Sequence, residues 1–137
     1  MKLILIINLI FICVNSLIAQ NETDTTIYKF FDSLITPPYF NYIKGNTETE
    51  KLLEFYKNNL KYPHEEDCEG KVYIGFVVEI NDSLTNIRFI RDIPGCNSFN
   101  KEALRLINLM NRLWKHAIRE GKKVRCEMII PINFRLY

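Results

Sequence analysis

The sequence predicts an α+β domain in which a small three-stranded sheet, antiparallel or mixed, carries two helices packed on one face. Three observations lead there. Residues 47–60 place apolar side chains at helical spacing behind a capping box. Residues 70–92 hold two runs of strand-forming residues joined by a short polar turn, and residues 97–130 repeat helical spacing followed by alternation. In the order helix, strand, strand, helix, strand, both helices can cover the same sheet face.

With 137 residues, 47% of them apolar and 25% charged, the chain has the size and balance of one small globular domain. That size excludes a multidomain enzyme, and five Gly and five Pro exclude a collagen-like or low-complexity polymer. The apolar residues are unevenly spread, since 15 of the first 19 are apolar. Lys2 supplies a positive start, Leu3 to Ile18 an apolar run, and Leu17, Ile18 and Ala19 a cleavage site before Gln20, the parts of a secretory signal peptide. The alternative is an uncleaved anchor, but a span needs about 20 apolar residues and Asn8 and Asn15 interrupt this run. The expected division is a leader over 1–19, a tether over 20–46 and a domain over 47–137. Such a protein is exported to the periplasm or cell envelope, and touches a membrane only if its leader is retained.

The formal net charge of +2 gives no reason to expect nucleic acid as a partner. Residues 20–69 carry a net of −5 and residues 70–137 a net of +6, so the two halves attract each other across one domain.

Along the tether, positions 27, 30, 31 and 34 share a helical face, which predicts a short helix ended by Pro37. Thr47 and Glu50 then form a capping box ahead of Leu52, Leu53, Phe55, Tyr56 and Leu60, which predicts a helix over 48–60 stopped by Tyr62 and Pro63. Val72, Ile74, Phe76, Val78 and Ile80 alternate with Lys71, Tyr73, Gly75, Val77 and Glu79 in a half-buried strand. Asn81, Asp82 and Ser83 turn the chain into a second strand over 85–92, making an antiparallel hairpin. Asn97 or Ser98 caps a second helix through Ala103, Leu104, Ile107, Met110 and Trp114. A basic turn around Gly121 leads to a third strand over 124–130, which Pro131 confines to a sheet edge or a bulge.

Cys68, Cys96 and Cys126 remain after the leader, an odd number for an oxidising compartment. If Ile80 lies opposite Thr85, Cys68 falls opposite Asn97 and beside Cys96, so these two are the expected disulfide. Cys126, mid-strand on the apolar face, is left as a buried thiol.

Several of these features recur in one order. Tyr62 and Pro63 follow an amphipathic helix; Gly70, Val72, Phe76 and Val78 mark the first strand; Gly95 and Cys96 precede Glu102 and Ala103; Trp114, Gly121 and Val124 lead to Pro131, Ile132 and Phe134. From Phe55 to Leu136 the chain resembles a TonB C-terminal domain, in the short form found in envelope proteins. The resemblance implies a non-enzymatic domain with no cofactor, which binds a short peptide of a TonB-dependent outer-membrane receptor in transport. The peptide would add to the edge of the last strand through main-chain hydrogen bonds. Carried onto this sequence, that edge runs over 125–132, with Ile129 and Pro131 on it and Arg125 and Glu127 as outward groups that tune specificity.

Two alternatives stand beside this reading. The tether or a second copy of the chain can cover the same edge, giving a secreted structural or self-associating module without a transport role. A small metal-dependent envelope enzyme would have to use His64 and Cys68 in the acidic stretch 65–69. Two such ligands in one loop fall short of a spaced zinc set, so neither catalytic nor metal-binding residues are expected.

Overall fold

The computed structural model describes residues 25–135, so the expected leader lies outside the described residues. Nine elements follow one another: β1 (Ile27–Lys29), β2 (Tyr39–Phe40), α1 (Glu48–Asn59), β3 (Gly70–Val78), β4 (Leu84–Arg91), α2 (Asn97–Leu109), β5 (Trp114–Lys115), β6 (Ala117–Arg119) and β7 (Lys122–Phe134). No helix among the described residues is long and apolar enough to cross a membrane.

Helix α1 begins as its capping box dictates: the Glu50 N–H donates to Thr47 Oγ1 at 3.2 Å, and Glu50 Oε2 accepts the Thr47 N–H at 3.4 Å. Its buried Phe55 joins the core. Helix α2 stops at Leu109 rather than continuing to Trp114, because Met110 closes it and Arg112 turns left-handed at φ 67°. Trp114 consequently sits in β5, paired with Phe40 of β2.

The sheet runs β1-β7-β3-β4, with β6 also paired to β7. It therefore has five strands where three were expected, because two short ones attach to β7. β3 is central and antiparallel to both β4 and β7. Its even-numbered residues from Val72 to Val78 are buried against Phe99, Ala103, Leu106 and Ile107 of α2 and against Phe55 of α1. Phe99 and Phe134 pack at 5.1 Å between ring centroids, and Phe40 and Trp114 at 5.2 Å. Each such fully buried side chain contributes about 1.5–3 kcal/mol by leaving water.

The hairpin register shifts twice, between Tyr73 and Ile74 and between Gly75 and Val77, so Val78 pairs with Leu84 but Tyr73 with Arg91. Asn86 at φ 49° takes up part of this irregularity. The expected pairing of Ile80 with Thr85 is displaced, since β3 ends at Val78 and Thr85 faces Val77. The shifts still bring the open end of the hairpin together, and Cys68 and Cys96 are joined by a disulfide with Cα atoms 6.3 Å apart.

The tether differs most from expectation. No helix forms at 27–34; Ile27–Lys29 is a strand, and the Asp32 N–H donates back to the Lys29 carbonyl as the chain turns. Ile35 and Tyr28 pack with Ala117, Val124 and Cys126 in a second small core. Phe40 is wholly buried in the main one. Pairing with β7 satisfies backbone groups that an isolated turn of helix would leave to water.

An open sheet edge beside a helix

β7 is long because its far half pairs with β3 from Cys126 to Phe134 while its near half turns back on β6. On its other side β1 lies parallel to residues 125–127. Among the described residues no strand pairs with Met128–Phe134 on that side. Seven residues of β7, about 23 Å at about 3.3 Å per residue, thus have no strand partner on that side.

Helix α1 runs beside this stretch. Leu52, Leu53, Tyr56 and Leu60 face Pro131 and Asn133 across a groove of about 570 Å3, which Lys57 and Lys71 also line. The Tyr56 hydroxyl donates to the Pro131 carbonyl at 3.3 Å. Burial pushes the Tyr56 phenol above its ordinary range, so it stays a neutral donor. Pro131 has no N–H to offer, as the expectation of an edge position required, and it pairs with Tyr73 in mid-strand rather than ending β7. The edge therefore lacks a donor at its centre, and the carbonyl there is engaged by Tyr56.

The four edge residues named from sequence divide into two pairs. Ile129 is 38% exposed and Pro131 is exposed, both on the open stretch. Arg125 and Glu127, expected as outward groups, are each paired with charges within the chain. Arg125 donates to Glu79 through Nε at 2.7 Å and NH2 at 2.9 Å, and holds the Glu79 carboxyl below its ordinary value. Glu127 is buried and paired with both Lys29 of β1 and Arg88 of β4. Sequence reasoning missed this cluster because its members lie on three strands far apart in the chain.

The remaining cysteine and the acidic loop have structural roles. Cys126 is a free buried thiol, pushed up to about 11 by burial and by the nearby Asp32, with Lys29 opposing. Glu66, held near the helix by the disulfide, accepts the Ser98 N–H at 3.1 Å and its hydroxyl at 2.7 Å. It thereby caps α2, whose own N-cap residue Cys96 makes no side-chain cap bond. Cys68 and Cys96 lie with Glu66 within 4.8 Å, but the two sulfurs are bonded to each other and offer no thiolate to a metal. His64 lies beside Tyr62, outside that group.

A family model described as Gram-negative bacterial TonB protein C-terminal matches residues 58–136, more than half of the chain. The chain belongs to the TonB C-terminal family. This is a family of transport-related protein-interaction domains whose members contact outer-membrane receptors. Among solved structures, the chain is similar to the TonB C-terminal domain of Helicobacter pylori, determined in solution by NMR. The two are 19% identical over 70% of this chain and 91% of that one, with a TM-score of 0.46. The solution structure of the Pseudomonas aeruginosa TonB C-terminal domain is 16% identical, over 82% of this chain and 96% of that one, with a TM-score of 0.41. No curated protein matches the chain. The TonB family match begins at residue 58, so β1, β2 and nearly all of α1 lie outside it.

Proposed function

We propose that this protein is an exported, non-enzymatic envelope domain that binds a peptide of a TonB-dependent outer-membrane receptor. The peptide adds as a strand to β7 over Met128–Phe134, with the α1 groove taking its side chains. The open stretch of β7 in a chain of this family carries the reading. Main-chain hydrogen bonds along an edge supply affinity, and an adjoining apolar groove supplies selection. The leader over 1–19 brings the domain to the periplasm, where the Cys68–Cys96 disulfide forms and persists. Residues 20–46 connect it to the domain over 47–137.

Site-specific photocrosslinking in cells tests this. A crosslinker in place of Ile129 or Asn133 is expected to capture an outer-membrane receptor, and one in place of Arg91, on the opposite outer strand β4, is not. Crosslinks from Ile129 to a second copy alone would support the self-associating module instead. Equal capture of a receptor from Arg91 would overturn the assignment of the edge.

A further inference from the structure

The edge assigned to a partner already holds a strand at one end. β1 sets Ile27, Tyr28 and Lys29 opposite Arg125, Cys126 and Glu127, and it stops where the open stretch begins. Side chains fasten it: Lys29 pairs with Glu127, and the Arg125 NH1 donates to the Thr25 carbonyl at 3.0 Å. Arg119 donates to the Tyr28 hydroxyl at 3.2 Å, with its guanidinium 5.2 Å from the ring centroid.

The attachment is nonetheless short. Three residues pair, and of these Tyr28 is half-buried on the second core while the Lys29 side chain is 54% exposed; Phe30, Phe31 and Leu34 just beyond are exposed to solvent. Short strands at a sheet edge, largely open to solvent, are the ones that open locally below the cost of global unfolding. Glu127 is the decisive feature. A buried carboxylate robbed of its only cation would hold β1 in place, because an unpaired buried charge is costly. Arg88, on β4, pairs with Glu127 as well, so the carboxylate keeps a counter-ion when Lys29 departs.

We infer that β1 is a releasable occupant of the partner edge. With β1 docked, the edge runs from Met128 to Phe134; with β1 released, it reaches back to Arg125. An extended peptide longer than seven residues competes with β1 for the same backbone groups. The inference rests on the strand-addition reading for the identity of that competitor, whereas the release of β1 is testable without it.

Amide exchange on the full chain is the first measurement. The Tyr28 amide, which faces β7, is expected to exchange about 100-fold faster than those of Ile130 and Ile132, which face β3. Lys29→Ala is expected to add about tenfold at β1 and leave Ile130 and Ile132 unchanged. Equal protection of β1 and the strand centre, or a Lys29→Ala effect that spreads to Ile130 and Ile132, would overturn the inference. The second measurement uses a synthetic peptide of residues 25–35 as the probe. Tethering gives the resident strand an effective concentration on the order of millimolar. The peptide is therefore expected to shift the amides of residues 125–127 in a Tyr28→Pro chain and not in the wild type. Equal shifts in both chains, or none in the variant, contradict a vacated edge. Failure of Ile129 to crosslink any receptor would remove the partner reading and leave both of these results standing.

Discussion

Tyr56 on α1 and Pro131 on β7 meet through a single hydrogen bond, the phenol donating to the carbonyl at 3.3 Å. This contact ties the helix to an otherwise unpaired strand edge and occupies one of the acceptors that an added strand would use. Tyr56→Phe is expected to lower stability by about 0.5–1.5 kcal/mol, the net worth of one such bond. In denaturant unfolding the midpoint should fall with the slope unchanged. A loss well beyond that range would mean that Tyr56 holds more than this edge.

The disulfide joins residues 28 positions apart, Cys68 before β3 and Cys96 at the start of α2. For a loop of that length the chain-entropy estimate is about 3–4 kcal/mol. Replacing both cysteines with serine is expected to cost about that much, and Glu66→Ala about 1 kcal/mol through loss of the cap on α2. Because the disulfide positions Glu66, the two effects should overlap in the triple variant. Strict additivity by thermal or denaturant unfolding would show that the cap forms without the covalent link.

Phe40 is fully buried against Phe55 and Trp114, although it lies outside the stretch that matches the family. Phe40→Ala is expected to cost about 3–5 kcal/mol, as for a large aromatic removed from a packed core. A cost below about 0.5 kcal/mol, within the range of surface substitutions, would show that the segment before α1 is dispensable.

Acid should weaken the fold through carboxylates held low. Burial pushes the Glu102 carboxyl up, but bonds from Arg105 and from the Lys61 N–H outweigh it and leave it below its ordinary 4.5. Glu79 is lowered chiefly by its bond from Arg125. A carboxylate depressed in the folded state contributes stability that is fully present above its unfolded value and lost as pH falls through the folded one. Stability is therefore expected to decline from about pH 4.5 downward. Glu102→Gln should be less stable at pH 7 and show a flatter acid limb. An acid limb as steep as the wild type's would assign the loss to other groups.

Elements with local signals were legible in the sequence. Thr47 and Glu50 sit three residues apart and form the capping box they spell, and the alternation of 70–78 is the central strand. The hairpin placed Cys68 near Cys96 even though two bulges shift its register, because both cysteines lie at its open end. Trp114 was misleading. It continues the helical spacing of 103, 107 and 110, but the left-handed Arg112 breaks the helix and Phe40, distant in sequence, recruits Trp114 into a strand. β1 was illegible because three residues carry no measurable period. Lys29 and Glu127 are 98 positions apart, so neither charge announces the other. The alternation of β7 reads Arg125 and Glu127 as outward groups, and the partners that hold them, Glu79, Lys29 and Arg88, give no local signal.

The most direct test of strand addition is amide hydrogen exchange on the full chain, with and without the periplasmic peptide of a receptor captured through Ile129. Slowed exchange over residues 128–134, with β4 unchanged, is the expected result. Unaltered exchange along 128–134, or slowing confined to β4, would contradict strand addition at this edge.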